Sequence, residues 1–225
     1  MIIVTGASRG LGAAIVKRLN SVGVETFGIA RNFVKAQKLT LPCDVSDYSQ
    51  VKAAATQIKK LNKPVEDLIN AAGIASMNLA ITTPSQTSQK ILNTNLLGTI
   101  YCSQLFAPLM IRKKKGVIIN FSTIAVALGL KGESVYIASK AGVEGFSRAF
   151  AREMSDFNIR VNCIAPGPID TDLIKGIGKE QIKNIISRQI ISKKFDPSNV
   201  CDLVEILLDS RSSSLSGQVL RVGGA

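Results

Sequence analysis

Short apolar runs alternate with stretches whose apolar positions recur three and four residues apart along almost the whole chain. Ile2–Thr5 reads as a strand running straight into Gly6. Ala13 to Val22 reads as a helix with Ile15, Val16 and Leu19 on one face and Gly23 at its C-terminal cap. A second strand is expected at Val24–Ala30. Arg31 to Pro42 is too short for a full helix and a strand, so one or two helical turns are expected, then a strand near Thr40–Cys43. A helix over Ser49–Leu61 and a strand at Asp67–Asn70 follow. Pro84 opens a long helix reaching Met110, and Gly116 turns the chain into a strand at Val117–Phe121. Next come a helix over Ser134–Ser155 and a strand at Ile159–Ile164. Past Pro166-Gly167-Pro168 the alternation lapses until a helix at Pro197–Asp209 and a last strand at Gln218–Val222.

Strands apolar on both faces, alternating with helices, imply a parallel sheet covered on both sides. Right-handed crossovers then make it a doubly wound α/β sheet of Rossmann type, expected as one domain over residues 1–225. No apolar run approaches a membrane span, since Val117 to Leu130 is broken by Asn120, Ser122 and Thr123. The first strand starts almost at Met1, leaving no room for a leader, so a cytoplasmic location is expected, with an organelle matrix also compatible.

Composition narrows the chemistry. The four cysteines lie far apart and read as reduced, buried thiols. With no histidine in the chain, Ser-His-Asp catalysis, His-ligated zinc and imidazole relays are excluded. A net charge of +12 favours an anionic partner, whether a phosphorylated cofactor, an acidic protein, nucleic acid or lipid. The absence of tryptophan gives little support for base stacking, and no nucleic-acid partner is expected.

The first strand ends in Thr5-Gly6-Ala7-Ser8-Arg9-Gly10-Leu11-Gly12. Gly6 permits a sharp turn, Gly10 lets the backbone approach a pyrophosphate, and Gly12 lets helix pack against strand. Such a run often only makes turns, but between a first strand and a first helix it points to a dinucleotide. NAD is usually selected by an acidic residue at the end of the second strand. Here that end reads Ala30-Arg31-Asn32, and Arg31 with Arg9 can pair with a 2′-phosphate, so NADP(H) is expected.

Tyr136 and Lys140 stand one helical turn apart, where an ammonium and a bound oxidised nicotinamide would lower the pKa of the phenol. Tyr48 and Lys52 repeat the spacing. Only Tyr136 follows a strand ending in Asn120-Phe121-Ser122-Thr123, and strand ends of open α/β sheets are where ligands bind. Tyr48 and Lys52 therefore read as structural.

With these pieces in order, the chain resembles the short-chain dehydrogenase/reductase family, most of all 3-oxoacyl-[acyl-carrier-protein] reductases and related carbonyl reductases. The likeness also draws on Cys43-Asp44-Val45, Asn70-Ala71-Ala72-Gly73, Asn95 to Gly98, Pro166-Gly167 and Val222-Gly223-Gly224. It implies a catalytic set of Asn95, Thr123, Tyr136 and Lys140. Tyr136 would give its proton to the carbonyl oxygen. Lys140 would lower its pKa and hold the nicotinamide ribose, and Asn95 would anchor a water chain to Lys140. Counting back from the tyrosine puts the family's serine hydroxyl on Thr123, with Ser122 one position early as the alternative. The implied cofactor contacts are Gly6, Ser8, Arg9, Gly10, Leu11, Gly12, Arg31, Asn32, Asp44, Val45, Asn70, Ala71, Gly73, Tyr136, Lys140, Pro166, Ile169 and Thr171. Residues 172–195 would form the lid.

The leading expectation is NADPH-dependent reduction of a 3-oxoacyl group on an acyl carrier protein. Reduction of another ketone, quinone or aldehyde is the alternative, and a non-catalytic NADP-binding or sensing subunit is a third. The chain is expected to form a homo-oligomer, dimer or tetramer. Arg112-Lys113-Lys114-Lys115 could dock an acidic carrier only if a neighbouring subunit brought it to the active-site mouth. A second docking arginine of the family aligns with Phe157, with Arg160 as a nearby substitute.

Overall fold

In the computed structural model, which describes residues 1–33, 39–171 and 178–225, β1 (Ile2–Thr5), β4 (Asp67–Asn70) and β5 (Gly116–Phe121) form the centre of the sheet. To one side lie β2 (Thr26–Ala30) and β3 (Thr40–Pro42), to the other β6 (Ile159–Pro166) and β7 (Val219–Val222). All pairs are parallel, in the order β3-β2-β1-β4-β5-β6-β7. The chain winds outward from β1 to β3, then returns to begin the other half at β4. This reversal opens a crevice beyond the C-terminal ends of β1 and β4.

Side-chain alternation along the strands builds two cores. Ile3, Leu68, Ile118 and Val161 meet α2 (Tyr48–Lys60), α4 (Gly98–Ile111) and α6 (Ser134–Ser155) on one face. Val4, Ile69, Ile119 and Ile164 meet α1 (Gly10–Ser21) and α8 (Pro197–Leu208) on the other. Caps mark the helix starts: Asp47 accepts from the amides of Ser49 and Gln50, and Asp196 forms a capping box with Asn199.

The long helix expected from Pro84 is α3 (Ser85–Leu92) continued into α4 through a π-helical turn at Asn93–Leu97. Two helices were not expected. One is the short α5 (Ala125–Leu128), ended by Gly129 at φ 60°. The other is α7 (Lys179–Ser187), within the segment that reads as irregular. Its apolar stripe is only Ile182, Ile185 and Ile186, too few residues for periodicity to separate it from a loop. α1 starts three residues before the expected Ala13, because packing overrides the poor helix propensity of Gly10 and Gly12. The helical turns expected between Arg31 and Pro42 fall largely on residues 34–38, outside the described residues. No helix among the described residues is long and apolar enough to cross a membrane.

Asp67 begins β4 and accepts a hydrogen bond from the Val117 amide at 2.7 Å, tying β4 to β5. Burial pushes its carboxyl up to about 6, against the pull of that amide. A raised acid pKa favours the folded state at low pH, and this contribution is lost as pH rises from about 4 through 6. Asp67→Asn keeps the acceptor and removes the charge. Its stability relative to the parent should be near zero at pH 4 and reach on the order of 2 kcal/mol in the variant's favour at pH 7. Denaturant unfolding across that range checks this, and a pH-independent difference would contradict it.

Candidate active site

At the end of β1 the chain turns at Gly6, where φ is 70°. A Cβ there would lie 2.8 Å from the Ala71 carbonyl oxygen and the Ala72 backbone, so the turn accepts only glycine. A Cβ on Gly12 would collide with the Gly6 carbonyl, so α1 packs against the turn as closely as the sequence implies. A Cβ on Gly10 would meet the Thr171 side chain only at ordinary contact distance, 3.7 Å, but its φ of 55° still favours glycine. Arg9 is extended at the N-cap of α1 and no side chain caps the helix. Its first amides are thus available to an anion, reinforced by the helix dipole.

The loop opens onto a cleft of about 860 Å³ along the C-terminal edge of the sheet. Ser8, Arg9, Gly10, Leu11, Arg31, Asn32, Asp44 and Val45 line it on the β1–β3 side. Ala71 and Gly73 line its middle, and Thr123, Tyr136, Lys140, Pro166, Ile169 and Thr171 its β5–β6 side. Arg9 and Arg31 are exposed and form no ion pair among the described residues. One Asp44 carboxylate oxygen accepts from the amide and hydroxyl of Ser46. A glycine turn without room for a Cβ, a free helix N-terminus and two unpaired guanidinium groups fit a dinucleotide with an extra phosphate.

Tyr136 and Lys140 lie on the inner face of α6, 8% and 6% exposed. Lys140 Nζ donates to the Phe121 carbonyl at 2.9 Å, at the end of β5. A Cβ on Gly73 would sit 3.4 Å from both Lys140 Nζ and Asn95 Oδ1, so these two groups converge beside Gly73. Burial brings the Lys140 ammonium down to about 8. Burial, then the Glu133 carboxyl, pushes the Tyr136 phenol upward, opposed by a hydrogen bond with the Thr123 hydroxyl. Desolvation dominates at the phenol, and the Lys140 ammonium, expected to lower it together with a bound oxidised nicotinamide, bonds the Phe121 carbonyl.

The two hydroxyls at the end of β5 separate cleanly. Thr123 meets Tyr136 and accepts from the Ala125 amide at 3.2 Å. Ser122 is buried and donates to Glu144 Oε1 on α6 at 2.7 Å. The count back from the tyrosine thus lands on the hydroxyl beside the phenol.

Two expected site residues do not line the cleft. Asn95 is fully buried in the π turn, where its amide bonds the Ile74 amide and carbonyl at 2.8 and 2.9 Å. It also donates to Ser139 Oγ at 3.0 Å, and Ser139 in turn donates to the Tyr136 carbonyl. Its side chain clamps the loop after β4 to the helix bearing Tyr136. Asn70, expected on the cofactor, donates to Asn120 Oδ1 at 2.9 Å and Ser103 Oγ at 3.2 Å inside the sheet. Asn120 then donates to Ser147 Oγ at 2.9 Å. A side chain at that strand position points into the α4–α6 layer, which spacing along one sequence does not reveal.

Tyr48 starts α2, half exposed and edge-on to Tyr101 at 5.3 Å, outside the cleft as expected. The basic run precedes β5 at the end of the sheet away from the cleft, and Lys113 pairs with Glu66 at 3.2 Å. Arg160, the suggested docking substitute, is committed to the carbonyls of Leu207 and Leu215. Sequence reasoning missed Glu133, Leu130 and Ile185, which line the cleft around Tyr136. Glu133 stands one helical turn before Tyr136, a spacing that could have drawn attention to it.

A family model described as short chain dehydrogenase matches residues 1–182. A 3-oxoacyl-[acyl-carrier-protein] reductase of Bos taurus is 35% identical over 98% of this chain and 95% of its own. An acetoacetyl-CoA reductase of Synechocystis is likewise 35% identical, over 100% and 95%. Among solved structures, the ligand-free aldohexose dehydrogenase of Thermoplasma acidophilum superposes with a TM-score of 0.89 at 30% identity, covering 99% of this chain and 92% of that one.

The Asn70–Asn120–Ser147 ladder yields a stability test. Asn120→Ala strips a partner from two buried polar groups at once and should cost about 2 kcal/mol in unfolding free energy. Denaturant unfolding measures this, and a loss under about 0.5 kcal/mol would mean the ladder carries little of the β4–β5–α6 packing.

Proposed function

The chain belongs to the short chain dehydrogenase family, and from that premise we propose that it is an NADPH-dependent reductase of 3-oxoacyl thioesters presented by an acyl carrier protein. The coarser statement holds independently: it is an oxidoreductase acting on carbonyl compounds with a nicotinamide cofactor. The observation carrying the reading is the convergence of Thr123, Tyr136 and Lys140 at one end of a cleft whose other end offers Arg9, Arg31 and the α1 N-terminus.

A bound reduced nicotinamide would supply the hydride. Tyr136, held protonated by burial, gives its phenolic proton to the substrate oxygen as charge develops there. Thr123 donates its hydroxyl to the same oxygen and so orients the carbonyl. Lys140 binds the ribose hydroxyls, and its lowered pKa suits it to return a proton to the tyrosine. Asn95 is a positioning residue for α6. Gly6, Ser8, Gly10, Leu11 and Gly12 would cradle the pyrophosphate. Arg9, Arg31 and Asn32 would meet the 2′-phosphate end, and Asp44 and Val45 the adenine. Ala71, Gly73, Pro166, Ile169 and Thr171 would contact the remainder.

The two thioester-reducing relatives favour this substrate class. So do the exposed Lys131, next to the cleft-lining Leu130, and Arg188, which bonds the Leu128 carbonyl. They offer an acidic carrier the docking charge that the 112–115 run does not. The likeness to an aldohexose dehydrogenase favours a second reading, reduction of another carbonyl compound. We place the protein in the cytoplasm as a homo-oligomer, dimer or tetramer.

Tyr136→Phe should abolish carbonyl reduction while NADPH binding persists, and Tyr48→Phe should be nearly neutral. The reverse pattern would overturn the assignment. Thr123→Val should cost roughly 10²-fold in turnover and Ser122→Ala much less. NADPH should be strongly preferred over NADH, with Arg31→Asp shifting the preference toward NADH; equal kcat/KM for both in the parent would refute the 2′-phosphate reading.

A further inference from the structure

Glu133 is a carboxyl on the cleft wall that no described residue pairs. It is 6% exposed, lines the cleft, and its carboxylate makes no hydrogen bond or ion pair with any described residue. Its surroundings on the cleft wall are apolar: Ile124, Ala125, Leu130 and Ile185 form one hydrophobic cluster. Burial raises its pKa without any compensating partner. A carboxyl partly drawn out of water in such a wall gains nothing from the fold, and a leucine of similar reach would pack there without the desolvation. A side chain that gains nothing from the fold inside a reaction cleft points to a task performed on the ligand.

Its position defines the task. Glu133 stands three residues before Tyr136 at the start of α6, so the two side chains lie over one another on the cleft-facing side of the helix. Tyr136 and Thr123 hold the oxygen of the carbonyl to be reduced. One helical turn away, against an apolar wall, Glu133 places a polar group beside the carbonyl site, where a second oxygen on a nearby carbon of the same molecule can meet it.

We propose that Glu133 is a specificity-determining residue, hydrogen-bonding a second oxygen function of the substrate while the reacting carbonyl lies against Tyr136 and Thr123. This rests on the carbonyl-reduction reading. The shared ligand chemistry is a carbonyl compound bearing a thioester carbonyl or a hydroxyl close by. A carboxyl serves either, donating to the first when protonated and accepting from the second when ionised. A site built to hydrogen-bond a substrate group rejects the analogue lacking it, because its own polar group is then left unpaired.

The test compares the parent with Glu133→Leu and Glu133→Gln, using NADPH oxidation with three probes: the acetoacetyl thioester of N-acetylcysteamine, 4-hydroxy-2-butanone and 2-heptanone. The parent should prefer one of the first two over the monofunctional ketone, and which one identifies the second group. Glu133→Leu should shrink that kcat/KM ratio about 10-fold or more, while Glu133→Gln, which keeps a donor and an acceptor, should hold it within about threefold. Glu133→Leu should also melt at or above the parent temperature. An unchanged ratio in Glu133→Leu overturns the proposal. So does an equal loss in Glu133→Gln, which would mean that charge and not hydrogen bonding is read. A lower melting temperature with proportionate losses on all probes would assign Glu133 to folding. No turnover of any probe by the parent would instead fell the reductase reading itself.

Discussion

Three buried hydrogen bonds run down one face of α6 and fasten it to the C-terminal end of β5. Lys140 Nζ donates to the Phe121 carbonyl, Glu144 accepts from Ser122, and Ser147 accepts from Asn120. The helix residues are four and three apart, the spacing of a single face, and their partners are three consecutive residues at the end of β5 and just past it. Each group is costly to leave unpaired in this interior, so the seam permits one register between helix and strand. That register sets Tyr136 beside Thr123. Asn95 and Ser139 extend the constraint to the loop after β4, which walls the middle of the cleft.

The seam also explains the electrostatics of the reactive end. Drawing Tyr136, Lys140 and Glu133 out of water pushes each toward its neutral form: the phenol and the carboxyl upward, the ammonium downward. A neutral phenol is the form that can donate a proton, so the buried arrangement suits reduction. The opposite end differs in kind. Arg9 and Arg31 remain exposed, where a guanidinium can meet an anion without the penalty of burying a charge. One cleft therefore joins a solvated, basic end to a largely desolvated end.

Much of the fold was legible because its cause is local. Fully buried parallel strands appear as short apolar runs, and amphipathic helices as stripes, so every strand was anticipated to within about two residues at its ends. α5 and α7 escaped because a four-residue helix and a nine-residue helix with three apolar positions carry too little periodicity. The phosphate turn was legible for a similar reason. Gly6 and Gly12 are required by contacts within a dozen residues of chain or with the adjacent strand end.

The sequence by itself determined the residue types at the site, the helical spacing of Tyr136 and Lys140, and the absence of a carboxylate after Ala30. Only the tertiary structure decided which of them meet. It turned Ser122 into the α6 seam and Thr123 toward the phenol, and drew Asn70 and Asn95 into buried amide contacts. It left the 112–115 run at the far end of the sheet, and set Glu133 unpaired in the cleft. The direction a side chain takes at a strand end, and the partners it finds across a buried interface, depend on elements distant in sequence. A pattern of residue types along the chain specifies which groups are available; close packing of helix on sheet selects which are satisfied by the fold and which are left for a ligand.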